Sequence, residues 1–373
     1  MRVAIDAREL CGRPTGVGRY LVGLLDAWST SDATRRHNLT LIAPQAIEGA
    51  ARWTVSVEVA GGGGGTVWEQ LTLPRAASAV KPDVFFAPGY TAPLTVAAPL
   101  VLTIHDLSFF AHPEWFSFRE GARRRLLTAW SARRAKAVIT DSEFSKAEIA
   151  HHIGIKNVRV IPLGVDRSDD RSNERSDDRS NDRLNDRLND RFPIVLFVGS
   201  LFQRRRVDRL IQAFDLVADR ISDAQLEIVG ENRTQPPVDF DSIRRGCRHA
   251  DRINIRSYVD DAVLSSLYRR ASVFAFLSEY EGFGLTPLEA LAAGLPPLVL
   301  DTAIARETCG AAARYVAPSA SNDEIAAALS ALLTNAAARE DLLRHQDGIL
   351  ARYDWNVAAA ATLSVLEEAA GGR

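Results

Sequence analysis

The sequence predicts an α/β protein made of two doubly wound domains, and three observations lead to this prediction. Several apolar runs do not alternate with polar residues and are separated by helical patterns, which is typical of a parallel sheet covered on both faces. The pattern starts afresh near residue 194, and the 373 residues exceed one ordinary hydrophobic core. We therefore expect two Rossmann-like halves facing a cleft, with ligands at the carboxyl ends of the strands.

Each half has its own series of strands and helices. In residues 1–165, the strand "RVAID" (2–6) precedes the loop "CGRPTGVGRY" and the helical run "YLVGLLDAW". Further strands of this half are predicted at 39–44, 83–88, 100–106, 137–140 and 158–164. In residues 192–352, strands are predicted at 194–200, 225–230, 252–258, 273–278 and 296–301. A last helix, "WNVAAAATLSVLEEAA", lies in the C-terminal segment 353–373.

A low-complexity charged segment, residues 166–191, separates the two halves. It repeats an acid–arginine pair about every four residues and contains almost no apolar side chain. Such a segment buries too little apolar surface to offset its ordering entropy, so we predict a disordered linker. The alternative is a solvated helix held by arginine–acid pairs three residues apart.

Composition limits the classes of function. A hydrophobic content of 46% and a charged content of 25% fit a soluble globular protein. The net charge of −2 gives no overall field that would attract nucleic acid. The three cysteines are odd in number and lack metal-ligand spacing, which fits a reducing compartment. No signal-peptide pattern and no apolar run of ~18 residues is found, so we expect a cytoplasmic protein, peripheral to a membrane at most.

The stretch "EYEGFGLTPLEALAAG" (279–294) has a structural and a functional interpretation. As local structure, Thr286 is the N-cap of a helix, Pro287 is its first residue, Glu289 completes a capping box and Gly294 ends the helix. This explanation does not account for Glu281 or for the two glycines that precede the cap. Gly282 and Gly284 let backbone N–H groups approach an anion at the positive end of a helix. A carboxylate beside an anion site suits sugar hydroxyls, so the stretch suggests a nucleotide sugar.

This stretch and five others resemble a known family. "SEYEGFGLTPLEALAAG" resembles the paired-glutamate motif of retaining glycosyltransferases of family 4, which have the GT-B architecture. The other matches, in the family's order, are "GVGRY", "TIHDLSFFAHPEWF", "TDSEFSKAEI", "VIPLGVD" and "VGSLFQRRRVDRLIQAF". The resemblance covers nearly the whole chain apart from 166–191. It implies an acceptor domain first, a nucleotide-sugar domain second, and a C-terminal helix that packs back toward the N-terminal domain.

The resemblance implies a role for each residue of the motif. Glu281 would face the donor sugar hydroxyls near the reacting carbon, and Glu289 would bind the ribose hydroxyls. The backbone of the intervening turn would hold the diphosphate or the sugar, through Gly282, Phe283, Gly284 and Leu285. No metal and no separate cofactor are expected, because cations and the helix end supply the positive charge.

Further donor contacts are implied outside this motif. Gly16 and Gly18 would approach the diphosphate from the first domain, although a tight strand-to-helix turn explains them equally well. His105 would contact the donor sugar near the anomeric carbon, while the neighbouring Asp106 orients the loop. Val259 is expected beside the base, and Glu307 matches a position near the ribose and the base edge.

Three arginines follow the first strand of the second half. Arg204 matches the arginine of the family's Arg-Lys pair and Arg205 takes the place of the lysine, while Arg206 is an alternative. Fixed cations there would stabilise the charge that develops on the departing nucleoside diphosphate. The structural alternative is three solvated arginines at a helix start, where cations are electrostatically disfavoured.

The basic segment 119–136 also has two interpretations. It forms either an amphipathic helix that meets anionic lipid or a lipid-linked acceptor, or a helix that packs Leu127 and Trp130 on the core.

The expected function is transfer of a hexose from a nucleotide-diphosphate donor to a glycan or lipid-linked saccharide. The first donor expected from the resemblance is GDP-mannose, with a UDP-hexose or a deoxyhexose donor second. One alternative is a sugar-nucleotide epimerase or hydrolase of the same fold. The other is a binding subunit without catalytic activity, in which Arg205 marks the loss of the lysine.

Overall fold

The computed structural model describes residues 1–12, 16–31, 36–166 and 191–371. The backbone separates into two compact units, Met1–Gly164 together with Tyr353–Arg373, and Val165–Arg352. The predicted linker, 166–191, falls outside the described residues except for Asp166 and Arg191.

The first unit contains seven strands and six of the helices named below. Its strands are β1 (Arg2–Asp6), β2 (Asn38–Ala43), β3 (Ser56–Val59), β4 (Val84–Ala87), β5 (Leu100–Thr103), β6 (Ala137–Thr140) and β7 (Val158–Val160). Five of its helices are α1 (Gly16–Thr30), α2 (Leu73–Val80), α3 (Ser108–Ala111), α4 (Phe118–Arg134) and α5 (Glu143–Ile153). A π-helical turn, Trp68–Thr72, leads directly into α2.

The second unit follows with six strands. They are β8 (Ile194–Val198), β9 (Gln225–Val229), β10 (Ile253–Arg256), β11 (Val273–Phe276), β12 (Pro297–Leu300) and β13 (Arg314–Val316). Its helices are α6 (Val207–Ala218), α7 (Phe240–Arg245), α8 (Asp261–Arg270), α9 (Leu285–Ala292), α10 (Ala303–Cys309), α11 (Asn322–Thr334), α12 (Ala336–Leu343) and α13 (Gln346–Leu350). The last helix of the chain, α14 (Trp355–Gly371), lies in the first unit.

Each unit is built on one parallel sheet. The strand orders are β3-β2-β1-β4-β5-β6-β7 and β10-β9-β8-β11-β12-β13, and every pairing is parallel. The prediction of two doubly wound α/β domains is confirmed. In both sheets the order reverses between two central strands, β1 and β4 or β8 and β11, and such a switch opens a crevice at the carboxyl ends of the strands.

Two strands were absent from the sequence prediction. All four residues of β3 are exposed, so this edge strand carries no apolar run. The other, β13, has only three residues. Several of the predicted strands are buried along their whole length, as in β4 and β5. Burial on both faces therefore made these strands recognisable, and its absence concealed β3.

The basic segment 119–136 folds as α4, with its helix ending at Arg134. Its buried residues are Gly121, Thr128, Ser131 and Ala132. Leu127 is partly buried, but Trp130 is 52% exposed. The interpretation that Trp130 packs on the core is therefore wrong, because α4 turns its smallest residues, rather than its tryptophan, toward the sheet. Across the described residues, no helix is long and apolar enough to span a membrane.

The C-terminal helix α14 is held against α1 by tryptophans. Trp28 Nε1 donates to the carbonyl oxygen of Ala359 at 2.9 Å. The indole of Trp355 lies so close to two glycines that a Cβ at Gly23 would be 2.5 Å from it and one at Gly164 would be 2.2 Å away. Glycine is needed at both positions because any side chain would overlap the ring.

We expect Gly164→Ala to lower the midpoint of thermal unfolding by about 3 °C or more, because the added methyl group overlaps a packed ring. The backbone nitrogen of Trp355, 2.5 Å from the added Cβ, prevents relief by a side-chain rotation. Circular dichroism measures the midpoint. Gly348→Ala in α13, whose Cβ meets nothing within 4 Å, is the matched control and should not lower it. Equal midpoints for the Gly164→Ala variant and the wild type would contradict this packing.

Candidate functional site

The residues predicted to carry function in the second unit follow the two strands at its sheet's switch. The arginine run follows β8, and the turn from Glu279 to Gly284 follows β11. Because β8 and β11 are neighbours in the sheet, their carboxyl ends bring these segments together. The backbone N–H of Glu279 donates to the carbonyl oxygen of Arg204 at 2.9 Å, which fixes one segment on the other.

Arg204, Arg205 and Glu281 meet there and are called the arginine–glutamate cluster below. Arg205 Nε donates to Glu281 Oε1 at 2.8 Å, and its Nη1 donates to the Ser200 carbonyl oxygen at 3.0 Å. Arg204 Nε donates to the Tyr280 carbonyl oxygen at 3.1 Å and lies 4.0 Å from Glu281 Oε1. The arginine side chains are each 13% exposed and that of Glu281 is 16% exposed. The solvated-arginine interpretation is therefore wrong for these two residues.

Aromatic rings support both guanidinium groups. Arg204 lies 4.4 Å and Arg205 5.4 Å from the ring centroid of Phe202. Arg205 also lies 4.9 Å from the centroid of Phe276, at the end of β11. Ring faces attract cations and restrict their hydration. Sequence reasoning missed both phenylalanines, although each lies within three residues of a residue in the cluster or its turn.

Arg206 is engaged elsewhere. It adopts a left-handed backbone conformation, with φ of 47°, between the 3₁₀ turn Gln203–Arg205 and α6. Its side chain donates to Glu279 and to the carbonyl oxygen of Pro318. This reversal of the chain separates Arg206 from its two neighbours, so its cation pairs with Glu279 rather than Glu281.

The cluster keeps Glu281 ionised. Burial on its own would raise the pKa of this carboxyl, but Arg205 and Arg204 more than offset burial and hold the pKa below its ordinary value. Ser278 Oγ also donates to Oε1 at 2.9 Å. Within the described part of the chain, neither Glu281 Oε2 nor Arg205 Nη2 has a hydrogen-bond partner. One acceptor and one donor thus remain for a ligand.

The turn after Glu281 leads into the start of α9. Gly284 is the N-cap residue, with φ of 89°, a conformation that favours glycine. The predicted capping box is wrong, because this left-handed residue starts the helix at Leu285 and no side chain caps it. Pro287 is then the third helical residue, where the N–H it lacks would have no intrahelical partner in any case. The first N–H groups of α9 remain as donors at the positive helix end.

The predicted C-terminus of this helix is confirmed. Gly294 has φ of 70°, its N–H donates to the Leu291 carbonyl oxygen, and the N–H of Leu295 donates to that of Ala290. These bonds form a Schellman motif. The helix is therefore fixed at both ends by glycines in the left-handed conformation.

The other predicted residues of the second unit are spread along the same sheet edge. Val259 follows β10 and is partly buried, directly before Asp260, the N-cap of α8. Glu289 lies in the second turn of α9 and is partly buried. Glu307 lies in α10, whose Thr308 is 3.7 Å from a Cβ built on Gly284. Within the described residues, the arginines and the turn from Tyr280 to Glu281 are in direct contact with one another.

The first unit brings its own predicted residues together. Gly16 is the first residue of α1, exposed and with open space around it, whereas Gly18 is buried. One turn later the Tyr20 ring lies 4.9 Å from the ring of His105. The first turns of α1 therefore lie beside the carboxyl end of β5.

His105 is held at both ring nitrogens. Nδ1 lies 2.7 Å from Asp141 Oδ2, and Nε2 lies 2.7 Å from the carbonyl oxygen of Pro88. Because a carbonyl oxygen only accepts, Nε2 carries a proton. Burial alone would lower the pKa of His105, but the Asp141 carboxylate outweighs burial and raises it. Both ring nitrogens therefore have hydrogen-bond partners in this structure, and the contact of His105 with the donor sugar stays a prediction.

Asp141 is the partner that sequence reasoning left unassigned. Its side chain is 2% exposed, and its Oδ1 is buried without a hydrogen-bond partner. It directly follows β6, and β6 pairs with β5, the strand before His105. The signal that could have identified Asp141 is its position directly after a buried strand, the strand that follows the one before His105.

We expect Asp141→Asn to lower the pKa of His105, because burial still disfavours the imidazolium while the carboxylate that stabilises it is gone. With the raised wild-type pKa, the pair stabilises the fold below about pH 6.5, and this contribution is lost as the pH rises through the raised value. NMR titration of the His105 Hε1 resonance, assigned with His105→Gln, measures the change. His249, in the second unit, is the internal control. An unchanged His105 pKa in the variant would contradict the assignment.

Comparison with known proteins places the chain in a family. The Glycosyltransferase Family 4 model matches residues 14–169, and the Glycosyl transferases group 1 model matches residues 178–345. O-antigen chain mannosyltransferase B of Escherichia coli is 25% identical over 240 residues, which are 64% of this chain and 62% of that protein. GDP-mannose:cellobiosyl-diphosphopolyprenol alpha-mannosyltransferase of Komagataeibacter xylinus is 27% identical over 268 residues, 69% of this chain and 64% of that protein.

These matches span less than two thirds of either relative's own length. Among solved structures, Anabaena Alr3699/HepE in complex with UDP-glucose matches with a TM-score of 0.72 at 20% identity, covering 98% of this chain and 99% of that chain. This similarity concerns the fold. Together, the two family models and the two parallel-sheet units show that the chain belongs to the family 4 glycosyltransferases and has the GT-B fold.

Proposed function

We propose that the chain is a retaining hexosyltransferase that moves mannose from GDP-mannose to a glycan or lipid-linked saccharide. The observation that carries this proposal is the 2.8 Å contact between Arg205 and Glu281 next to the start of α9. Cations, a carboxylate and free helical N–H groups lie within one short stretch of the sheet edge. A nucleoside diphosphate sugar has the matching groups, since its diphosphate is anionic and its sugar offers hydroxyl donors.

The arginines act on the leaving group. As the bond between the sugar's anomeric carbon and the phosphate oxygen breaks, negative charge grows on the diphosphate. Arg205 Nη2 and the first N–H groups of α9 stabilise that charge, and they are already fixed by the glutamate and the rings. A cation held in place before the reaction loses little energy to reorganisation, so its stabilisation applies mainly to the transition state.

The carboxylates recognise hydroxyl groups. Glu281 Oε2 accepts from the donor sugar, while Oε1 holds the arginine. Glu289 binds the ribose, and its side chain does not cap α9. The backbone of Gly282, Phe283, Gly284 and Leu285 lies along the diphosphate, and Val259 lies beside the base.

The chemistry proceeds without a carboxylate base in the cluster. Glu281, with its lowered pKa, is a poor proton acceptor at neutral pH. The acceptor oxygen forms its bond to the anomeric carbon on the face from which the phosphate departs. The acceptor's proton passes to the leaving phosphate oxygen, and the nucleoside diphosphate is released. The configuration of the anomeric carbon is thereby retained.

Mannose and guanine are proposed because the two relatives described above are named as mannosyltransferases, one of them as acting from GDP-mannose. UDP-glucose is the second candidate donor, because it is bound in the Anabaena structure of the same fold. An epimerase or hydrolase, and a binding subunit without activity, are the alternatives of other classes.

The experiment is a donor and acceptor matrix. The full chain is titrated calorimetrically with GDP-mannose, UDP-glucose and ADP-glucose, and each donor is then incubated with and without a panel of diphosphopolyprenol-linked saccharides. We expect nucleoside diphosphate release that requires an acceptor, with a mass gain of one hexose on that acceptor. Rapid donor conversion without acceptor would instead establish an epimerase or hydrolase.

We expect Arg205→Ala to reduce turnover by about 100-fold or more, because a fixed charge-stabilising donor is lost. Arg220→Ala, at an exposed position beyond the far end of α6, is the matched control and should retain wild-type turnover. Initial rates of nucleoside diphosphate release measure both variants. Near-normal turnover of Arg205→Ala would refute its role.

Arg205→Lys separates the transferase from the inactive binding subunit. In an active transferase, the lysine keeps the positive charge, but its single ammonium group cannot hold Glu281 and the Ser200 carbonyl oxygen as Nε and Nη1 do while presenting a further donor in the place of Nη2, so turnover should fall. If the wild type binds donor without transferring sugar, and Arg205→Lys gains transfer, the chain is an inactive relative whose lost lysine has been restored.

A further inference from the structure

The solvent-facing side of α4 in the first unit is apolar as well as basic. Leu126 is 54% exposed and Trp130, one turn later, is 52% exposed. With 3.6 residues per turn, these side chains point away from the buried Thr128. Phe118, in the first turn, is 83% exposed. Large apolar residues thus occupy the centre of a helix face that in a surface helix is normally polar.

A neighbouring helical segment adds to this face. Residues 66–80 form one continuous helical run through the π-helical turn. On it, Val67 is 73% exposed and Leu71, four residues later, is 55% exposed. Arg123 Nη1 in α4 donates to Thr66 Oγ1 at 2.6 Å, which places the start of this segment beside the N-terminal half of α4. We call the exposed apolar and basic side chains of α4 and of segment 66–80 the docking face.

Arginines surround the apolar residues. Arg119 and Arg133 lie seven residues before and after Leu126, and Arg123 lies seven before Trp130, so all three share that side of the helix. They are exposed. Helix α4 contains six arginines and a single glutamate, and that glutamate pairs with Arg123 and Arg124. The docking face therefore carries a net positive charge.

We propose that this face docks the first unit on an anionic phospholipid surface. Leucine, tryptophan and phenylalanine enter the boundary between headgroups and acyl chains, and the arginines contact lipid phosphates around them. Charge decides between this occupant and a second copy of the chain. A two-fold contact would bring the same arginines of both copies together, whereas an anionic bilayer neutralises them. This inference concerns binding of the first unit and does not depend on the donor.

Vesicle co-sedimentation of the full chain tests the proposal. Wild-type protein is mixed with vesicles of phosphatidylglycerol and phosphatidylcholine, and with vesicles of phosphatidylcholine alone, at low and high salt. We expect binding to the anionic vesicles that weakens as salt is raised, because screening reduces the arginine contribution. Failure of the wild type to bind anionic vesicles at low salt would overturn the proposal.

Two double variants separate the apolar and basic contributions. Leu126→Ser with Trp130→Ser should lower the partition coefficient by about 10-fold or more on anionic vesicles, because two exposed apolar side chains no longer enter the interface. Arg119→Gln with Arg123→Gln should lower it about 10-fold and reduce the salt dependence. Val263→Ser with Val357→Ser, at positions 39% and 67% exposed outside the docking face, is the matched control.

The controls establish specificity. Each variant is first checked for wild-type thermal unfolding, so that loss of binding reports the face and not misfolding. An equal loss of binding in the valine control would contradict the assignment of this face. Light scattering measures self-association in parallel. A dimer that depends on Leu126 and Trp130, without binding to vesicles, would show that the face serves a second copy instead of lipid.

Discussion

The contact between Arg205 and Glu281 fixes the charged side chains at the carboxyl edge of the second unit's sheet. Two charges are taken out of water there, which is tolerated because each charge compensates the other and because Arg205 Nη1 and Glu281 Oε1 have further hydrogen-bond partners. The Ser200 and Tyr280 carbonyl oxygens and the Ser278 hydroxyl complete that environment. The pair also joins the segment after β8 to the segment after β11. The two sides of the switch are therefore held in one geometry before any ligand arrives.

The first unit has a comparable arrangement at its own sheet edge. His105 and Asp141 join the ends of β5 and β6, as the arginine–glutamate cluster joins the ends of β8 and β11. Another buried group follows β1, where Arg8 pairs with both Asp6 and Glu69. In each case a charged residue at or after the carboxyl end of a buried strand pairs with a residue from another segment. Parallel sheets favour this arrangement because all strand ends of one kind lie on one edge.

The two kinds of surface in this protein follow different physical rules. At the sheet edge, cations are fixed by partners and rings, so they suit a ligand whose charge changes during a reaction. On α4, exposed arginines lie around exposed apolar side chains. The same residue type is thus buried among fixed partners in one unit and exposed beside apolar side chains in the other.

The sequence by itself determined the fold class, because strands buried on both faces leave continuous apolar runs that repeat in each half. The sequence also assigned Arg204, Arg205, Glu281 and the turn before α9 to one site, because each of these segments follows a predicted strand of the same half. It could not determine the partners of these residues. Arg205 and Glu281 are 76 residues apart, and His105 and Asp141 are 36 apart, so only the pairing of strands brings them into contact.

Local geometry was also decided by the tertiary structure. The left-handed Gly284 moved the start of α9 ahead of Thr286, because a glycine can reverse the chain where a capping pattern suggests a later start. The rotation of α4 about its axis depends on which small residues fit against the sheet, and it left Trp130 in solvent. The pattern of the sequence therefore specified the elements and their order. Packing specified which side chains meet and which face outward, because those choices depend on contacts between segments far apart in the chain.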